Sequence, residues 1–152
     1  MKKNFSYRLF KFGAVPRKLL PILEQENIVV SDEGMSGKFI TKNVKESGRR
    51  YLHRFERFSG CLVITKKRLL CYTFSKRQIN ISIYDPKILK IFYSVPEDNT
   101  LSISFESSVF HNGWSGVIEF QFKTDKTNQF VDELKSIGVR QGTPVKADTT
   151  QD

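Results

Sequence analysis

The stretch GCLVITKKRLLCYTF, Gly60–Phe74, sets two apolar runs on either side of three consecutive basic residues, Lys66, Lys67 and Arg68. It reads as a β-hairpin turning at Lys66–Lys67. Successive side chains of a strand point to opposite faces. An even turn therefore places Leu62 opposite Cys71 and Cys61 opposite Tyr72, with the two sulfurs on different faces, where they cannot bond. An odd turn reverses that parity.

On the N-terminal side of this hairpin, Gly60 marks a bend in a strand that begins within RRYLHRFERF, Arg49–Phe58, where arginines alternate irregularly with aromatics. Before it, Ile28–Val30 is a short apolar run, Ser31–Gly34 with Gly37 is turn or bulge chemistry, and Lys38–Val44 is a strand ended by Glu46-Ser47-Gly48. Lys18–Glu26 is expected to be a short helix with Leu19, Leu20, Ile22 and Leu23 buried and Pro21 in its first turn.

On the C-terminal side, Ile79, Ile81 and Ile83 alternate with Asn80 and Ser82 until Asp85-Pro86 ends the strand. A strand is expected from Ile88 to Tyr93, then a turn at Pro96–Asn99. Leu101, Ile103 and Phe105, and later Ile118, Phe120 and Phe122, repeat the half-buried alternation around the loop SSVFHNGWSG. The period then becomes helical, with Phe130, Val131, Leu134 and Ile137 as the apolar stripe, Thr124-Asp125 as the expected cap and Gly138 as the stop.

The chain has 152 residues and a formal net charge of +9, which favours an acidic partner. No apolar run approaches the ~18 residues of a membrane-spanning helix. Two cysteines are too few for a disulfide scaffold, and neither they nor His53 and His111 have the spacing of a metal site, so no metal and no cofactor is expected. No nucleophile elbow or phosphate loop is present, and the adjacent acids Asp32-Glu33 and Glu97-Asp98 are explained by solvated turns. A non-enzymatic role is expected.

Residues 1–18 form a basic arm in which Phe5, Leu9 and Phe12 fall at helical spacing. Arg8 and Lys11 interrupt the apolar stretch a secretory signal would need, so the arm is read as uncleaved. Three readings are open for it: an arm packing its aromatics on the domain, a basic amphipathic segment lying on a membrane, and a mitochondrial-type targeting peptide. Residues 19–138 are read as one domain and 139–152 as a disordered tail.

About seven strands followed by one amphipathic helix is expected to give a mainly β fold, a strongly bent antiparallel sheet or partly open barrel capped by the helix. The hairpin at Gly60–Tyr72 and SGVIEFQFKT with the helix after it, Ser115–Ile137, resemble the pleckstrin-homology-like superfold, its bacterial and GRAM-type members above all. Glu26–Ile137 also resembles a family of small, uncharacterised bacterial proteins. The shared motifs are structural and carry fold more than function.

The resemblance implies a binding or scaffolding domain on the cytoplasmic side of a bacterial cell, peripheral at the inner membrane face if it binds lipid. Its ligand end is implied to be the loops after the first, third and sixth strands. These supply Lys45, Arg49 and Arg50, then Lys76 and Arg77, as basic residues for lipid or another anion, and Phe110, His111 and Trp114 as interfacial aromatics. The hairpin tip then lies at the opposite end, with Lys66, Lys67 and Arg68 as solvated turn residues. The alternative is a protein-interaction module using a sheet edge, a helix groove or the RRYLHRFERF surface, with an acidic protein as partner. Nucleic acid ranks third, for want of an RNP-like motif.

Overall fold

The computed structural model describes residue 3, residues 5–46 and residues 48–144, without the side chains of residues 5, 6, 10 and 49–53. Two short helices, α1 (Phe5–Phe10) and α2 (Leu20–Gln25), precede the long strands β1 (Ile28–Glu46) and β2 (Arg49–Thr65). Then follow β3 (Arg68–Thr73), β4 (Lys76–Ser82), β5 (Ile91–Glu97), β6 (Thr100–Glu106), β7 (Ser115–Lys123), α3 (Thr127–Ile137) and the short β8 (Arg140–Gln141). All eight strands belong to one sheet in the order β4-β3-β2-β1-β7-β6-β5-β8, strongly curled into a half-barrel with α3 as its C-terminal helix.

The β2–β3 hairpin turns through Lys66 and Lys67 and pairs Leu62 with Cys71 and Cys61 with Tyr72. Its strands are apolar on both sides because both sides are covered. Leu62, Ile64, Leu69 and Cys71 face the main core inside the curl, with Phe105, Phe120, Phe122 and the α3 residues Phe130 and Leu134. Cys61, Val63 and Leu70 face the outside, where Val15 and Leu23 of the N-terminal segment close over them. Burial on both faces replaces alternation with a continuous apolar run.

Strand β1 is continuous where the sequence suggested two short strands. Its register shifts between Asp32 and Met35, and Gly34 takes a left-handed φ of 65° under the ring of Tyr7. Of the two expected readings, turn or bulge, the structure has the bulge, which bends the strand without ending it. Gly37 has a different reason for being glycine, since the ring of Phe58 lies across its Cα.

Several local expectations are corrected. Pro86–Lys90 is a 3-10 turn capped by the Asp85 carboxylate, so β5 begins at Ile91 and runs through Pro96 to Glu97. Ile22 is exposed; α2 packs chiefly through Leu23. The cap of α3 is Lys126, not Thr124-Asp125, although the Thr124 hydroxyl accepts from the Lys126 amide at 3.1 Å. Gly138 ends α3 with φ 105°, as its position predicted.

Val139 is buried and Arg140–Gln141 pair in parallel with β5, so the sheet reaches into what was expected to be tail. Residues 145–152 lie outside the described residues. Arg68 is no solvated turn residue either. Its guanidinium clamps Glu26 and donates to Asn80 Oδ1 at 3.0 Å, which ties the hairpin to the end of α2 and to β4.

The N-terminal arm packs on the domain. Lys3 reaches Asp32 Oδ1 and the Glu33 carbonyl, and the Tyr7 hydroxyl donates to Glu33 Oε1 at 2.7 Å. The other oxygen of Glu33 accepts the Val15 amide at 2.8 Å. Further along, the Ser59 hydroxyl donates to the Phe12 carbonyl at 2.7 Å and the Gly34 amide to the Gly13 carbonyl at 3.0 Å.

Candidate functional site

In an antiparallel meander the turns after β1, β3 and β6 fall at one end of the sheet. Curling draws that end into the mouth of the half-barrel, around a cavity of about 350 Å³. Phe39, Thr41 and Val44 of β1 and Phe58 of β2 form its floor. Thr73–Lys76 and Gln78 of the β3–β4 hairpin form one wall, and His111 and Trp114 of the loop between β6 and β7 the other.

Register explains the floor. Phe39 pairs with Glu56 and Thr41 with Arg54, so Arg54, Glu56 and Phe58 share the concave face with the core aromatics. Beyond the cover of the core this face becomes polar, and the Arg54 guanidinium pairs there with the Glu56 carboxylate. The Arg54 amide donates to the Thr41 hydroxyl at 3.1 Å, and Gln78 Nε2 donates to Thr73 Oγ1 at 2.8 Å. At Asn43 a left-handed φ of 54° resets the alternation, so that Val44 and Glu46 again face inward.

The loop wall is built by a tight turn. The His111 amide donates to the Ser107 carbonyl and the Trp114 amide to the His111 carbonyl, while Gly113 supplies a left-handed φ of 82°. This folds the imidazole onto the indole, with centroids 4.1 Å apart and planes 16° from parallel. Both rings are half-buried. Burial, and after it the charge of Lys76, lowers the His111 pKa below 6.5, with Glu46 opposing. The fold thus disfavours the imidazolium form of His111 in this site.

The expected site residues divide. Lys76, His111 and Trp114 line the cavity, whereas Lys45 and Arg77 are exposed and are not among its lining residues. Phe110 packs edge-on against Phe105 at 4.8 Å, with the Lys87 ammonium 5.5 Å from its centroid, so it anchors the loop from the core side. Arg49 and Arg50 pair with Glu46 and Lys45 through the backbone; their side chains lie outside the described ones. Sequence reasoning missed Arg54, Glu56, Thr73, Phe74 and Gln78. The period-two alternation that places Phe58 in the core assigns Arg54 and Glu56 to the same face, so that signal was available.

The cavity offers the cations Arg54, Arg57 and Lys76, the carboxylates Glu46 and Glu56, of which Glu56 pairs with Arg54, hydroxyl and amide groups, and a stacked aromatic wall. No group of three or more His, Cys, Asp or Glu able to hold a metal ion occurs among the described residues. No described helix is long and apolar enough to cross a membrane. No protein-family model matches the chain, and no curated protein sequence matches it.

Proposed function

We propose that the chain is a non-catalytic binding domain of the pleckstrin-homology-like kind, attaching to anionic membrane lipid through basic and aromatic residues at the mouth of its half-barrel. The observation that carries this reading is the convergence of the β3–β4 turn and the β6–β7 loop, separated in sequence, with the inward face of β1 and β2 on one cavity that places Lys76 beside the half-exposed His111–Trp114 stack. The strand order β4-β3-β2-β1-β7-β6-β5 followed by a helix supports the fold side of it. A phosphate at the mouth meets Lys76 and the hydroxyl of Thr73, while Trp114 sits where an interfacial aromatic gains from both lipid and water. The net charge of +9 steers the protein to a negative surface such as the cytoplasmic face of a bacterial inner membrane.

Co-sedimentation with vesicles of phosphatidylcholine alone, and of phosphatidylcholine with phosphatidylserine, tests the proposal at low and high salt. Binding to the anionic vesicles alone, weakened by salt and by Lys76→Glu or Trp114→Ala, is the expected result. Equal indifference to both vesicle types sinks it.

One observation favours a second reading. Strand β4 stands at an end of the sheet, and its outer edge pairs with no other strand among the described residues. A strand from an acidic protein adding to that edge would make the chain a protein-interaction module. Recovery of one stoichiometric partner, lost when a proline replaces Asn80, decides for this reading.

A further inference from the structure

The N-terminal arm and the β3–β4 turn, far apart in sequence, meet beside the mouth. Phe12 packs edge-on against Phe74, with centroids 6.1 Å apart and planes at 89°. Each ring nevertheless leaves a large part of itself in water, Phe12 being 46% and Phe74 43% exposed. Leu9, near the end of α1 and three residues before Phe12, is 58% exposed. Exposed aromatics that touch each other and continue into a cavity wall form a patch, unlike the scattered apolar residues of an ordinary surface.

The backbone holds these rings outward at a cost. Phe74 has φ 54° and Lys11, just before Phe12, has φ 58°. A bulky residue in the left-handed region is uncommon, and such strain concentrates at binding sites where the surrounding structure imposes it. Here the Phe74 amide donates to the Ser59 carbonyl while the Ser59 hydroxyl donates to the Phe12 carbonyl, so one residue fixes both segments.

Charge decides what covers the patch. Arg8 and Lys11 flank Leu9 and Phe12 in the chain, Lys76 and Arg77 follow Phe74, and all four are exposed. The acids nearest the arm, Asp32 and Glu33, are engaged by Lys3, Tyr7, Thr124 and the Val15 amide. Apolar rings flanked by cations match the headgroup region of an anionic bilayer, in which phosphates lie beside the acyl boundary.

Resting on the membrane reading above, we infer that the arm supplies the apolar half of the membrane contact: Phe12 and Phe74 insert as a pair below the phosphates, while Lys11, Lys76 and Arg77 engage the headgroups. The arm is already docked through Glu33 and Ser59, so insertion does not have to order a free segment. The cavity takes the headgroup; the aromatic pair takes the acyl boundary.

The test uses the full chain with phosphatidylcholine–phosphatidylserine vesicles. Replacing both Phe12 and Phe74 by Ser is expected to weaken vesicle partitioning roughly tenfold or more. Replacing both by Leu keeps most of it, and the melting temperature moves little because both rings are exposed. A Phe12→Trp variant, whose folding is not in question, adds vesicle-dependent blue-shifted emission quenched by brominated acyl chains. If the wild type ignores anionic vesicles, the membrane reading falls and this inference with it. If the wild type binds and the serine pair binds equally, or the added emission of the Phe12→Trp variant is unquenched, the insertion alone is overturned. A lipid-free self-association lost in the serine pair, with vesicle binding intact, assigns the patch to a second copy of the chain and also overturns it.

Discussion

Arg68 grips the carboxylate of Glu26 with three hydrogen bonds, Nε to both oxygens at 2.9 Å and Nη2 to Oε1 at 2.6 Å. Glu26 also accepts the Thr65 hydroxyl at 2.9 Å and is almost wholly covered. The side chain that looked like part of a solvated turn is therefore the bolt between the N-terminal helices and the β2–β3 hairpin. Lys66 and Lys67, its neighbours, remain exposed.

Breaking this pair from one side leaves the other charge partly buried without its partner. Arg68→Ala is expected to cost about 2 kcal/mol, or roughly 6 °C in melting temperature by thermal denaturation. Lys66→Ala and Lys67→Ala stay within ~0.5 kcal/mol. The hydrogen bonds from Arg68 hold the Glu26 pKa below 4.5. Its stabilising contribution is thus complete above the unfolded-state pKa and is lost as pH falls through the folded one. The gap between wild type and Arg68→Ala narrows on acidification below about pH 4.5; a constant gap contradicts this assignment.

Cys61 and Cys71 lie on opposite faces of the hairpin, and both are fully buried. Burial pushes the Cys61 thiol up to about 12 and Cys71 well above its ordinary 9.0. A thiol reagent at neutral pH is expected to find neither in the native protein and both in denaturant, and mild oxidation gives no intramolecular disulfide. Rapid native labelling would show the register to be wrong.

A methyl group at Gly37 would overlap the Phe58 ring and stand 2.5 Å from the Gln121 carbonyl oxygen. The ring can move only by disturbing Phe120 and Phe122, against which it packs. Gly37→Ala is expected to destabilise by ~1–3 kcal/mol. A combined Gly37→Ala, Phe58→Leu variant loses less than the sum of the single changes, as a double-mutant cycle in denaturant would measure.

His111 gives the proposed lipid contact a pH dependence. Its lowered pKa means that the folded chain disfavours protonation, so this residue's contribution to stability is full above 6.5 and declines below it. An anion bound beside Lys76 removes the repulsion that the proton meets, so binding takes up a proton. Affinity for anionic vesicles is expected to rise as pH falls from about 7 through about 6, and His111→Phe flattens that rise. A profile unchanged by the substitution places the titrating group elsewhere.

The buried hydroxyl of Ser107, which has no hydrogen-bond partner among the described residues, supplies an independent check on the loop wall. Ser107→Ala removes a buried polar atom with no partner among the described residues, and is expected to be neutral or to stabilise by up to about 1 kcal/mol. A loss of stability would mean that the hydroxyl is satisfied after all.

Much of the strand content was legible because alternation is local. Ile79 and Ile81, Leu101 to Phe105, and Ile118 to Phe122 each face the core as their spacing predicted. The serines between them mislead: Ser102 and Ser104 are buried on the outer face, where Ser102 donates to Glu119 Oε2 at 2.6 Å and Lys42 lies 3.4 Å from Oε1. Small polar residues disappear beneath longer neighbours, which no period records. Lys76, His111 and Trp114 were named because the resemblance to the pleckstrin-homology-like superfold implies a ligand end at the loops after the first, third and sixth strands, and all three line one cavity. Lys45 and Arg77 stand outside the cavity because the β1 and β4 bulges shift which side chains face inward, and a bulge is a departure from the period being read.

By itself, then, the sequence determined the hairpin, the helical close at Phe130 to Gly138 and the basic character of the chain, since each depends on neighbours in the chain or on a sum over it. Only the tertiary structure decided that Arg68 meets Glu26, that Glu33 moors the arm and that Phe12 meets Phe74. Those contacts join residues far apart in the chain, and their geometry depends on how far the sheet curls and where β1 bends, quantities fixed by the packing of the whole core.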